Sequence, residues 1–255
     1  MTRKLTILSL AIILIFSSCE DKQSSSKNNA DTAVDTLKNK DVSNDSSIDS
    51  LQNSDEEKSK TKAPEEEGVT SIDFPIEQEE LIPTLTEYGE ENPETRIRII
   101  TSFGDIEVSL YRDTPLHRAN FIMLTKDKYF DHTYFYRVSP NFVIQGGNSD
   151  NTATSRHRKK IGSYLIPSEF EAGYRHVRGA FSAAKYSEQN VSKASSPFEF
   201  FIVTKPDGAH HLDNDHTVFG RVTKGMDVVD EIAQVETGQS EWPVDNIEID
   251  IEIIE

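Results

Sequence analysis

Cysteine occurs once among the 255 residues, so no disulfide can close within the chain. Positive charge is scarce: 27 Lys and Arg stand against 44 Asp and Glu, a formal net charge of −17. A phosphate backbone is bound by basic surface, and that deficit argues against nucleic acid as a partner. Long apolar runs are missing too. The one candidate, Leu5 to Phe16, is about a dozen residues, where a membrane-spanning helix needs roughly 20. His210, His211 and His216 have no cysteine or acidic ligand at a recognised zinc spacing, so no metal and no cofactor is expected.

What is present begins with a leader. Arg3 and Lys4 precede the apolar run, and the small residues Ser17 and Ser18 stand directly before Cys19. That order predicts a secretory signal over residues 1–18, removed in the mature protein. Phe16-Ser17-Ser18-Cys19 resembles the bacterial lipobox, with phenylalanine where leucine is commoner. The resemblance implies that Cys19 becomes the first mature residue and carries acyl chains, which in multiples hold a protein on a membrane far better than one does. The expected location is the cell envelope, lipid-anchored to a bacterial membrane and facing the periplasm or the cell surface.

Residues 19–93 read as an acidic, disordered tether. From Glu20 to Pro93 there are 20 acidic and 7 basic residues, with runs at Asp55-Glu56-Glu57 and Glu65-Glu66-Glu67 and little apolar periodicity. Such a segment buries too little apolar surface to offset its chain entropy, and its like charges extend it. Ile72 to Tyr88 is more apolar, and whether it packs on the domain is open at this level.

Residues 94–255 carry the expected domain. Arg96-Ile97-Arg98-Ile99 and Ile106-Glu107-Val108-Ser109-Leu110 alternate as half-buried strands around a Gly-containing turn, and Ile247 to Ile253 alternates without a break. Further strands are predicted at Tyr134 to Val138, Phe142 to Gln145, Gly179 to Ala184, Phe200 to Thr204 and Val218 to Val222. Two helices interrupt them, one with Thr114 as cap and Pro115 in its first turn, the other from Met226 to Val235. A mainly β fold follows: a closed antiparallel barrel of about eight strands capped by two helices, since closure removes exposed edges.

Three stretches bear on function. They are Phe135-Tyr136-Arg137-Val138-Ser139-Pro140-Asn141-Phe142-Val143-Ile144-Gln145-Gly146-Gly147, then Gly179-Ala180-Phe181-Ser182-Ala183-Ala184, then Phe198-Glu199-Phe200-Phe201-Ile202-Val203 leading to Leu212, His216 and Val218-Phe219-Gly220. Together they resemble the active-site blocks of cyclophilins, in order and spacing, over Arg96 to Ile253. The resemblance implies a cyclophilin-like barrel and peptidyl-prolyl cis-trans isomerase activity on proline-containing peptides and unfolded exported proteins, in a monomer. The alternative is a non-catalytic proline-peptide-binding or chaperone module on a lipid tether.

Rotation about an Xaa-Pro bond must break amide resonance, a barrier of about 18–20 kcal/mol. It needs neither nucleophile nor metal, only a grip on the proline ring and a fixed donor for the twisted amide. The resemblance puts Arg137 in the place of the family's catalytic arginine. It implies that Phe142, Val143, Phe201 and Leu212 line the proline pocket, that Gln145 bonds both substrate and Arg137, that Ala184 and Lys185 flank the site through their backbone, and that His216 packs at the rim. Adjacent Phe200 and Phe201 must point to opposite sides of a strand, one into the barrel and one toward substrate.

Three positions depart from the commonest family pattern: Glu199 for glutamine, Lys185 for asparagine and His211 for the tryptophan of many eukaryotic members. Glu199 is expected at the rim, where a carboxylate either pairs with Arg137 and diverts it or recruits substrates with a basic residue near proline. The run Arg156-His157-Arg158-Lys159-Lys160 is expected in an exposed loop, either simply solvated or meeting an acidic partner or the chain's own acidic segment.

Overall fold

The structure is a computed structural model, and it describes residues 72–186 and 191–255. The leader, Cys19 and the tether as far as residue 71 lie outside the described residues. Among the described residues no helix is long and apolar enough to cross a membrane.

In chain order the elements are α1 (Leu81–Glu91), β1 (Arg96–Thr101), β2 (Gly104–Leu110), α2 (Pro115–Lys126), β3 (Thr133–Ser139), β4 (Val143–Asn148), α3 (Thr152–Ile161), β5 (Ala180–Ala183), β6 (Phe200–Val203), β7 (Val218–Lys224), α4 (Met226–Ile232) and β8 (Glu248–Ile253). The strands close into one antiparallel barrel in the order β1, β2, β7, β5, β6, β4, β3, β8 and back to β1. The alternation read in the sequence governs burial: Ile97 and Ile99 on β1, Ile106 and Val108 on β2, and Ile249 and Ile251 on β8 are buried. Phe121, Phe130, Phe135, Phe181 and Phe200 fill the interior as an aromatic cluster with ring centroids between 4.6 and 6.1 Å apart.

Four helices, not two, accompany the barrel among the described residues. Residues 72–93, expected within the tether, fold with the domain. Leu81, Leu85 and Tyr88 recur at helical spacing and are all buried, so α1 has one face that water rejects and α2 covers. Arg118 on α2 is buried against its end, donating from Nη1 to the Asn92 carbonyl and from Nη2 to the Gly89 carbonyl, each at 2.7 Å. Those are terminal carbonyls with no partner inside the helix, and a guanidinium satisfies two at once.

The basic run is helical as well. Asn151 Oδ1 accepts from the Ala153 N–H at 3.0 Å as the cap of α3, and Arg158, Lys159 and Lys160 lie in its last turn, where cations meet the negative end of the helix dipole. Two smaller expectations also shift. Thr114 makes no side-chain cap on α2; the Glu169 carboxylate does it instead, accepting from the Leu116 and His117 N–H groups at 3.0 Å each. The last helix stops at Ile232, short of Val235.

Candidate active site

β3, β4 and β6 lie side by side, and their register builds the site. Arg137 is opposite Gln145, Ser139 is opposite Val143, and Gln145 is in turn opposite Phe201. Phe142 sits in the tight connection between β3 and β4, Ala184 and Lys185 directly follow β5, and Leu212 and His216 belong to the loop before β7. Arg137, Phe142, Val143, Gln145, Ala184, Lys185, Phe201, Leu212 and His216 line one cavity of about 240 Å³. The Gly146-Gly147 pair behind Gln145 has a steric origin: Gly147 is at φ +92°, and a Cβ there would come within 2.2 Å of the Phe198 carbonyl oxygen.

The two adjacent phenylalanines divide as their strand requires. Phe200 enters the barrel interior, while Phe201 joins a separate apolar cluster with Val143, Ala180, Ala184, Val203, Ala209 and Val218, against which Phe142 and Leu212 pack. This second cluster is the floor of the cavity. Its mouth is polar.

Arg137 is held from two sides. Its Nη1 donates to Gln145 Oε1 at 3.4 Å, its Nε donates to Glu241 Oε2 at 2.7 Å, and its guanidinium carbon lies 5.9 Å from the centre of the Phe142 ring. Gln145 is in turn tied to the Tyr136 hydroxyl through its amide nitrogen. Ser139 Oγ donates to Glu241 Oε1 at 2.6 Å, and this bond, with the Arg137 charge beside it, keeps the Glu241 carboxyl below its ordinary range.

Glu199 departs from the expected arrangement. It does not line the cavity and does not meet Arg137; it is buried and paired with Arg158 Nη2 at 2.7 Å, with a further bond from Ser196 Oγ. A buried carboxylate demands a cation, and α3 supplies one. Arg158 also donates to the Tyr129 hydroxyl at 2.8 Å and lies 4.8 Å over the Phe198 ring. The other two departures do reach the site: Lys185 Nζ pairs with Asp215 at 2.8 Å, and the His211 ring stacks on Phe142 at 5.4 Å.

His216 is held neutral. Burial, reinforced by the Lys185 charge and opposed by Asp215, pushes its pKa down to about 4. Its Nδ1 lies 3.2 Å from Asp215 Oδ2 but out of line for a hydrogen bond. The three histidines do not converge: His210 pairs with Asp213, His211 with Phe142, and His216 faces the cavity. Three candidate metal ligands gather elsewhere, at His132, Glu248 and Asp250, where His132 and Glu248 already pair at the surface.

Besides Glu241, two supporting residues escaped the sequence reading. His176, fully buried, stacks 5.8 Å from Phe201, donates from Nδ1 to Asp213 Oδ1 at 2.9 Å, and meets Ser182 Oγ through Nε2 at 3.0 Å. It thereby ties the cavity floor to the loop bearing Leu212. Burial lowers its pKa. Asp213, despite its own burial, is held well below the carboxylate range by bonds from His176, Arg175 and His210. No local pattern marks a histidine four residues before the start of β5 as a support for Phe201; only the barrel brings them together.

Comparison with known proteins agrees with this arrangement. Residues 96–252 match the family model described as cyclophilin-type peptidyl-prolyl cis-trans isomerase. Peptidyl-prolyl cis-trans isomerase-like 1 of Gibberella zeae is 33% identical over 156 residues, which cover 61% of this chain and 91% of that protein. A peptidyl-prolyl cis-trans isomerase of Acinetobacter baylyi is 36% identical over 147 residues, 56% of this chain and 74% of that one. Among solved structures, a Cryptosporidium parvum cyclophilin-type isomerase crystallised in the presence of the dipeptide Ala-Pro superposes with a TM-score of 0.53 at 28% identity, over 63% of this chain and 99% of its own. By sequence and by fold, the chain belongs to the cyclophilin-type peptidyl-prolyl cis-trans isomerase family.

Proposed function

We propose that this isomerase works at a bacterial cell envelope, anchored through Cys19, and turns Xaa-Pro bonds in exported proteins, with Arg137 as the catalytic donor. The observation that carries the catalytic reading is the meeting of Arg137 with Phe142, Val143, Phe201 and Leu212 around one cavity. The apolar floor accepts a proline ring. Above it, the guanidinium offers several rigid N–H groups to the amide nitrogen, whose lone pair returns only as the bond twists. A donor aimed at that developing electron density lowers the barrier without tightening ground-state binding. Neutral His216 adds no second cation, and the Lys185 ammonium that also lines the cavity is paired with Asp215 at 2.8 Å.

The acidic residues 20–71 and the leader-like start support the anchored setting, with that acidic segment keeping the domain away from the membrane. Two measurements test the reading. Exchange NMR on a short Xaa-Pro peptide with the full chain and its Arg137→Ala variant is expected to show acceleration that the variant loses; peptide binding without acceleration by either would instead make this a proline-binding module. Incorporation of labelled fatty acid in the native host is expected for the full chain and not for Cys19→Ser, and equal labelling of both would refute the anchor.

A further inference from the structure

Glu241 lies more than a hundred residues from Arg137 in sequence and outside every stretch that the cyclophilin resemblance rests on, yet it takes the Nε of that arginine at 2.7 Å. It sits in a short helical turn, Gln239–Glu241, between α4 and β8. Ser240 and Glu241 both hold left-handed backbone angles, φ +61° and +60°. Such conformations cost energy in residues with a Cβ and persist where surrounding contacts enforce them.

Those contacts are of two kinds: bonds that close the segment on itself and contacts to β3. The Gly238 N–H donates to the Trp242 carbonyl at 2.7 Å and the Val244 N–H to the Glu236 carbonyl at 2.9 Å, closing the segment into a loop. Trp242 packs on Tyr136 with ring centres 5.8 Å apart. The carboxylate then spans two side chains of one strand face, Arg137 at Oε2 and Ser139 at Oε1, which are two residues apart and therefore project together. A surface ion pair with one contact is worth little and is free to rearrange. This one is forked, and its backbone is committed to it.

We propose that Glu241 is a positioning residue for catalysis: by occupying Nε, it fixes the rotation of the Arg137 guanidinium and presents the Nη edge to the cavity. Gln145 meets Nη1 from the other side, and among the described residues no hydrogen bond engages Nη2. The substrate amide thus meets a donor whose orientation is set before binding, the condition under which a misplacement of an ångström costs up to about a hundredfold. The proposal rests on Arg137 being the catalytic donor.

The test uses the full chain and its Glu241→Ala, Glu241→Gln and Arg137→Ala variants, with the Glu241→Ala/Arg137→Ala double variant, on an Xaa-Pro peptide. Melting temperature and the Arg137 Nε–H NMR signal are followed alongside. Glu241→Ala is expected to lower kcat about tenfold with KM within about twofold and to lose the protected Nε–H signal. Glu241→Gln, which keeps an acceptor, is expected to restore most of the rate. In the Arg137→Ala background the Glu241 change is expected to do nothing further, as coupled residues require. Unchanged kcat in Glu241→Ala, or an equal loss in both backgrounds, overturns the positioning role while leaving Arg137 in place. Full activity in Arg137→Ala, or none in the parent, overturns the catalytic reading itself and this role with it.

Discussion

Arg158–Glu199 and Arg137–Glu241 are both ion pairs at 2.7 Å, and each ties the barrel wall beside the cavity to a segment outside it. Their surroundings differ. The Arg158 and Glu199 side chains are 20% and 7% exposed, whereas those of Arg137 and Glu241 are 34% and 40% exposed. The first is screened by Tyr129 and Phe198 and locks α3 onto the strand edge; the second stands at the mouth of the cavity with part of its guanidinium uncommitted. The same two residue types therefore serve structure in one place and chemistry in the other, and burial is what separates them.

The largest expected effect falls on the buried pair. Arg158→Ala leaves the Glu199 carboxylate without its cation and is expected to cost about 3–5 kcal/mol in denaturant unfolding. The rate per folded molecule should barely move; a large rate loss in a well-folded variant would erase the distinction between the pairs. Arg137→Ala is the mirror experiment. Loss of one preorganised donor is expected to cut kcat by about 10²–10³-fold, while a half-exposed pair of this kind changes stability by no more than about 1 kcal/mol.

Acid sharpens the contrast on the cavity side. With His216 at about 4 in the folded chain against an ordinary value of 6.5, the unfolded chain takes up the proton first as pH falls. Its contribution is intact above about pH 6.5 and is lost on the way down to about pH 4, on the order of 3 kcal/mol in all. Unfolding followed across that window should show the slope in the parent and a flatter course in His216→Gln. The smallest effect belongs to Lys185→Ala, which removes the pair with Asp215 at the cavity edge: roughly 1 kcal/mol or less in stability, measured by the same unfolding curves.

Much of the fold was legible because its signals are local. Ile97, Ile99, Ile106 and Val108 alternate along the chain as they alternate between core and solvent, and Phe200 and Phe201 could be sent to opposite faces from adjacency alone. The α1 region was harder. Leu81, Leu85 and Tyr88 have helical spacing, but they sit among Glu79, Glu80, Glu87, Glu90 and Glu91, and the arginine that caps their helix comes from α2. The basic run misled for a related reason: at the level of composition it is a charged loop, and although Asn151 caps the helix locally, the buried Glu199 that anchors it lies 41 positions beyond Arg158.

The sequence by itself determined the family, the barrel and, Glu199 apart, the membership of the cavity, since periodicity and a motif with few alternatives survive without knowledge of distances. Partnership between charges was decided by the tertiary structure alone. Glu199 stands beside the motif and was expected at Arg137, yet it is Arg158 that holds it, and Arg137 is taken by Glu241 from a turn 104 positions away. Coulomb attraction and hydrogen bonding depend on separation and burial in space, and a linear sequence carries neither until the strands have closed.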